Sequence, residues 1–141
     1  MKNLASLSKN QGFRFAIIGG LNTILDIVIL VILTNFGVNK IIANIFSTGI
    51  TFLNSFGLNK KYTFKSELKS KKQLAKEMVL FTIVTLFGLW VVQGFIIFLL
   101  SPIAKNLINN DGIATILAKI PATAVSMIWN FILYKKVVFK K

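Results

Sequence analysis

Four runs of apolar residues, 13–36, 41–59, 78–101 and 113–134, dominate the chain. Each is close to the roughly 20 residues an α-helix needs to cross about 30 Å of hydrocarbon. In lipid the backbone polar groups must be satisfied within the segment, so each run is expected to be a spanning helix. The composition agrees: 55% of residues are hydrophobic and 15% charged, against about 45–50% and about a quarter in soluble domains. The expected fold is therefore an all-α membrane protein, one domain over 1–141 with four transmembrane helices. The first run exceeds the usual apolar core of a cleaved signal, and no small-x-small site follows it, so it is expected to stay in the mature chain.

Charge sets the expected orientation. The chain holds 17 Lys and Arg against 4 Asp and Glu, a net +13. Lys2, Lys9 and Arg14 precede the first run, seven lysines from Lys60 to Lys76 fill the 60–77 connection, and Lys135, Lys136, Lys140 and Lys141 close the chain. The other two connections hold only Lys40 and Lys105, with Lys119 just inside the fourth run. By the positive-inside rule both termini and the 60–77 connection face the cytoplasm. The expected partner of this charge is anionic lipid rather than nucleic acid. The 60–77 connection itself has a poor apolar face, and a solvated linker is favoured over a surface helix.

With 0 His and 0 Cys there is no imidazole base, thiolate nucleophile, zinc cluster or disulfide frame. Glu67 and Glu77 lie among lysines and read as local charge balance, and no phosphate-binding Gly-rich loop is present. The expectation is a protein that is not an enzyme and carries no cofactor.

Laid over one another at an offset of 75, the second and fourth runs share ten identities in the 25 pairs from Ile41/Ile116 to Lys65/Lys140. Ala43/Ala118, Thr48/Thr123, Lys60-Lys61/Lys135-Lys136 and Phe64/Phe139 are among them. This points to a duplication of a two-helix hairpin. Because a hairpin has an even number of spans, both copies would share one orientation about an axis along the membrane normal, leaving a seam.

Polar residues inside the runs are the candidates for function, because they are costly to hold there. Asp26 costs about 2.5–3.5 kcal/mol at the centre of a span and shares a helix face with Gly19, Asn22 and Thr23. It either fixes packing through a hydrogen bond or takes part in transport. Every fourth residue of the second run is small or polar (Ala43, Ser47, Thr51, Ser55, Asn59), as is the series Ala114, Ala118, Ala122, Ser126, Asn130. The alanines read as close helix packing, whereas Ser55, Asn59 and Asn130 suit either a sugar or helix-helix hydrogen bonds. Gln93 and Thr82 share a face of the third run, where Gly88 and Gly94 would admit a neighbouring helix and Trp90 reads as core. Lys119, two residues before Pro121, either snorkels outward or offers an inward ammonium to an anion. Arg14, the sole arginine, suits a phosphate through its planar fork or serves as an interfacial anchor.

The chain resembles the GtrA-like family of small bacterial membrane proteins. The resemblance rests on Arg14-Phe15-Ala16-Ile17-Ile18-Gly19, on Asn22 and Asp26, and on Asn59-Lys60-Lys61-Tyr62-Thr63-Phe64. That last ending is echoed by Trp129-Asn130-Phe131 and Lys135-Lys136-Val137-Val138-Phe139. The resemblance implies a role in cell-surface polysaccharide synthesis: flipping a polyprenyl-phosphate-linked sugar across the cytoplasmic membrane for a separate membrane glycosyltransferase. It implies Asn59, Phe64, Lys119 and Asn130 as functional positions, beside the further candidates Arg14, Asn22, Asp26, Ser55, Lys60 and Gln93. Two other functions fit the residues: a non-transporting anchor that recruits a glycosyltransferase, and a small proton-coupled cation exporter using Asp26. Four short helices enclose little space, which favours a homo-oligomer.

Overall fold

The computed structural model describes residues 10–67, 70–108 and 110–140, with no account of the side chains of residues 111, 112 and 115. Among the described residues all regular structure is helical. Helix α1 spans Gln11–Asn35, and α2 spans Lys40–Leu58 and runs into a π turn at Asn59–Thr63. Helix α3 covers Lys71–Phe87 and passes through a π turn at Gly88–Val92 into α4, Gln93–Leu107. Helix α5 covers Asp111–Leu133 and also ends in a π turn, Tyr134–Val138. Among the described residues four continuous stretches are long and apolar enough to cross a membrane: Gln11–Asn35, Lys40–Thr63, Lys71–Leu107 and Ile116–Val138.

Four of the five helix starts are built from a local polar residue, and α4 instead continues directly from the π turn before it. The side chains of Asn10, Asn39, Ser70 and Asn110 accept hydrogen bonds from the amides of Gly12, Ile41, Gln73 and Ile113, satisfying donors that the first turn leaves unpaired. α1 stops in a Schellman arrangement: Gly37 adopts φ +83°, Val38 N–H donates to Leu33 O and Gly37 N–H to Thr34 O. A side chain at 37 would be strained in that conformation.

The cap at Ser70 corrects the reading of the 60–77 connection. Among the connection's described residues only 64–67 and 70 lie outside helix; its last seven residues begin α3, so the third stretch has 37 residues, about 55 Å long. The sequence Lys71-Lys72-Gln73-Leu74-Ala75-Lys76-Glu77 consists of good helix formers, and capping at Ser70 lets the span's helix extend outward through them.

The chain forms two compact units, 1–67 and 68–141. In the first, α1 packs along α2. The residues buried there are Ile18 and Asn22 of α1 with Ala43, Ser47, Thr51, Phe56 and Asn59. In the second, α4 packs along α5, and α3 meets both the π turn that follows it and the terminal one. Ala114, Ala118, Ala122 and Ser126 of α5, Ala104 of α4, and Phe81, Val84 and Gly88 of the third stretch are buried there. The four-spaced stripes thus lie at packed faces, where small side chains let helix backbones approach. Bulky residues such as Leu21, Ile24 and Phe98 face outward. Small and polar inside with large and apolar outside is the distribution expected of helices solvated by lipid.

Two expectations for the third stretch are corrected. Trp90 is 73% exposed rather than core. It lies within the Gly88–Val92 π turn, whose wider winding changes which residues share a face, and the packed side carries Gly88. A Cβ placed on Gly94 would meet nothing within 4 Å, so of the two glycines only Gly88 admits a neighbouring helix.

The sequence repeat has a structural counterpart. The π turns at Asn59–Thr63 and Tyr134–Val138 are 75 residues apart, each closed by a Phe amide: Phe64 N–H donates to Asn59 O at 2.9 Å and Phe139 N–H to Tyr134 O at 2.8 Å. Ala43 and Ala118, Ser47 and Ala122, Thr51 and Ser126, and Phe64 and Phe139 are buried in pairs at the same offset.

Candidate functional site

In the first unit, polar groups line the α1–α2 contact. Asn22 is 8% exposed, donates through Nδ2 to its own helix at Ile18 O, and accepts from Asn54 Nδ2 at 2.8 Å. This cross-helix bond inside two apolar helices is worth about 0.6 kcal/mol by analogy with measured membrane pairs. One turn on, Asp26 is half-buried, and its Oδ1 is buried with no hydrogen-bond partner among the described residues. The expected stripe is therefore real for Asn22 and Asp26. Thr23, by contrast, is exposed and donates back to Gly19 O.

At the other end of this contact, Arg14 Nη2 donates to Thr63 O at 3.0 Å. The guanidinium thus reaches one of the carbonyls that the end of the π turn leaves open, a favourable place for a cation. Asn59 is 2% exposed, and its Nδ2 donates to Ser55 O at 2.9 Å and to Ser55 Oγ at 3.2 Å. Asn59 Oδ1 and Thr63 Oγ1 are buried without a hydrogen-bond partner among the described residues. Lys60, 9% exposed, donates through Nζ to Ser66 Oγ, and Phe64 is buried beside the turn. Arg14, Ser55, Asn59, Lys60 and Phe64 are therefore gathered around one π turn, held by a bond from α1.

In the second unit, Gln93 Nε2 donates to Thr123 Oγ1 at 3.1 Å, tying the start of α4 to α5. Asn130 is half-buried with its carboxamide against Gly88; a Cβ at position 88 would overlap the amide oxygen and lie 3.1 Å from Cγ. Asn130 Oδ1 and Trp129 Nε1 are buried with no hydrogen-bond partner among the described residues, and the Trp129 ring stacks on Phe87 at 5.3 Å. Lys119 is exposed, next to the buried Ala118. At the terminal π turn Tyr134 stacks on Phe81, ring centroids 4.4 Å apart, and shares a short hydrogen bond with Thr85. Phe139 completes the cluster at 6.2 Å from Phe81.

Sequence reasoning missed Asn54, Thr63 and Tyr134. Asn54 lies off the four-spaced stripe, and only the way α1 lies along α2 sets it against Asn22. Thr63 contributes a backbone carbonyl, which no side-chain pattern reveals. Tyr134 occupies the repeat position of Asn59, a signal that was legible but chemically dissimilar. Among the described residues no three or more metal-ligating side chains gather.

Buried side-chain oxygens, lysines on the π turns at Asn59–Thr63 and Tyr134–Val138, and apolar outer faces describe membrane-spanning helices that hold polar groups on their packed sides. No curated protein matches the chain. Residues 14–139 match the family described as GtrA/DPMS, transmembrane domain, and this covers most of the sequence. The chain is a polytopic membrane protein that belongs to the GtrA/DPMS transmembrane-domain family.

Proposed function

We propose that this protein moves a polyprenyl-phosphate-linked sugar from the inner to the outer leaflet of the bacterial cytoplasmic membrane, with both termini in the cytoplasm. The family supports handling of lipid-linked sugar in general terms. The observation that carries the finer reading is the set of buried oxygens on Asp26, Asn59 and Asn130 that no group among the described residues satisfies. A buried polar atom left unpaired costs about 1–3 kcal/mol, and a ligand rich in hydroxyls is the natural source of donors for it. In the first unit Arg14 is the cation for the phosphate, Asn22 and Ser55 are further polar partners, and Lys60 and Phe64 hold the turn where the headgroup enters; in the second unit Lys119 is the cation and Gln93 the further polar partner. The polyprenyl tail stays in lipid along the apolar outer faces. No energy source is visible in the sequence, so transport is facilitated exchange, drawn outward as the sugar is consumed.

The test is a labelled glycosyl-phosphoryl-polyprenol in liposomes, with exposure to an external reagent as readout. Wild type should accelerate exposure well above the protein-free rate, and Asn130→Ala and Lys119→Ala should slow it. A wild-type rate equal to that of empty liposomes defeats the transport reading.

A further inference from the structure

At the lysine-bearing end of the second unit lies a cleft of about 370 Å³, lined by Gln73, Lys76, Glu77 and Leu80 of α3 and by Val138 and Lys140 at the chain's end. The transport reading makes no use of it. Its size is within the roughly 300–1,000 Å³ of small-ligand sites. The apolar run of the third span begins at Met78, so the cleft sits where α3 changes from polar to apolar, the depth of lipid headgroups. Lys76 and Lys140 are exposed and reach the cleft from different segments of the chain. Glu77 is 3% exposed and accepts a hydrogen bond from Gln73 Nε2 at 2.9 Å. That bond fixes the sense of the Gln73 amide: its nitrogen is committed to Glu77, and its oxygen is left to accept from a ligand.

Three kinds of group therefore meet in one cleft. The two ammonium groups suit a phosphodiester. The Gln73 amide oxygen, which can only accept, calls for a donor beside that phosphate, and a neutral hydroxyl supplies it without adding a third cation to the two lysines. Leu80 and Val138 add apolar surface for the first methylenes of a lipid tail. We propose that this cleft is a binding site for a phospholipid whose phosphodiester carries a neutral polyol, as in phosphatidylglycerol, with the phosphate on Lys76 and Lys140 and a headgroup hydroxyl donating to Gln73 Oε1. A polyprenyl-phosphate-linked sugar shares this chemistry, a phosphodiester beside hydroxyls, and the experiment separates the two sources. The proposal stands apart from the transport reading and does not depend on it.

The experiment is native mass spectrometry of the full chain in detergent, titrated separately with phosphatidylglycerol, with phosphatidylmethanol, which has the same charge but no polyol, and with a glycosyl-phosphoryl-polyprenol. Phosphatidylglycerol is expected to bind about fivefold tighter than phosphatidylmethanol, the worth of one hydrogen bond. Gln73→Ala should erase that preference while leaving phosphatidylmethanol binding unchanged. Lys76→Ala and Lys140→Ala should each weaken both phospholipids about fivefold, whereas Lys61→Ala and Lys65→Ala, which remove the same charge from exposed positions of the first unit, should change neither by more than about twofold. Equal binding of the two phospholipids by wild type, a preference that survives in Gln73→Ala, or equal losses from all four lysine variants overturns the proposal; the first and last of these readings stand even if Gln73→Ala does not fold. Glycosyl-phosphoryl-polyprenol that displaces phosphatidylglycerol at equal concentration overturns the phospholipid assignment. The labelled-sugar assay reads the other proposal, and failure there leaves this one intact.

Discussion

The contact between Gly88 and Asn130 gives the sharpest quantitative test of the second unit. A methyl group at position 88 overlaps the Asn130 carboxamide oxygen, so Gly88→Ala forces either the amide or the backbone of the π turn to shift. Overpacking of this kind costs about 1–3 kcal/mol, and an amide pushed off its rotamer accounts for about 0.5–1.5 of that. The usual helix-propensity gain of Gly→Ala, about 1 kcal/mol in water, largely cancels because a spanning helix stays helical when the bundle comes apart in a micelle. Asn130→Ala removes both the obstacle and an oxygen buried without a hydrogen-bond partner among the described residues, and should be neutral or stabilising by up to about 1 kcal/mol. In that background Gly88→Ala should cost close to nothing. The double-mutant cycle therefore has an expected coupling of about 1–3 kcal/mol. It can be read by reversible unfolding in mixed micelles, with the fluorescence of Trp129, stacked on Phe87, as a local probe. If Gly88→Ala costs the same in both backgrounds to within about 0.5 kcal/mol, the two residues do not meet and this packing is wrong. The same Asn130→Ala protein should lose sugar-lipid exposure while gaining stability, the trade expected of a residue kept for a ligand.

Other outcomes follow from named contacts. Arg14→Lys keeps the charge but loses the fork that reaches Thr63 O, and should cost about 1 kcal/mol in the same unfolding assay. Asn22→Ala and Asn54→Ala should couple by about 0.6 kcal/mol, and additive effects would mean the cross-helix bond is not made. Tyr134→Phe retains the stack on Phe81 and should cost no more than about 1.7 kcal/mol, whereas Phe81→Ala, at 1% exposure, should cost about 3–5. Ala43→Leu, at a position with 0% exposure on the α1–α2 contact, should destabilise by about 1–3 kcal/mol, while Ile45→Leu, on the outward face, should change little.

The spans, their number and the four-spaced stripes were legible because lipid demands them: a run of about 20 apolar residues and small residues at helix contacts are direct consequences of the solvent. The repeat was legible as identity at an offset, and Gly88 as a small residue that could admit a neighbour. The 37-residue third stretch was not, because the polar helix formers before Met78 have no hydrophobic signal and only the Ser70 cap marks where they begin. Glu77 read as charge balance among lysines, yet it is buried, and that follows from the approach of the terminal π turn rather than from its neighbours in sequence.

Sequence alone determined that this chain lies in a membrane and which small residues line the packed face of each helix, since hydrophobicity and a period near 3.6 are local properties. Tertiary structure decided which polar atoms are answered and which are not. Asn22 finds Asn54, and Arg14 finds the carbonyl of Thr63; Asn59 and Asn130 each keep a buried oxygen that no described residue meets. Hydrogen bonds require atoms within about 3 Å and in line, a condition set by how one helix lies against another.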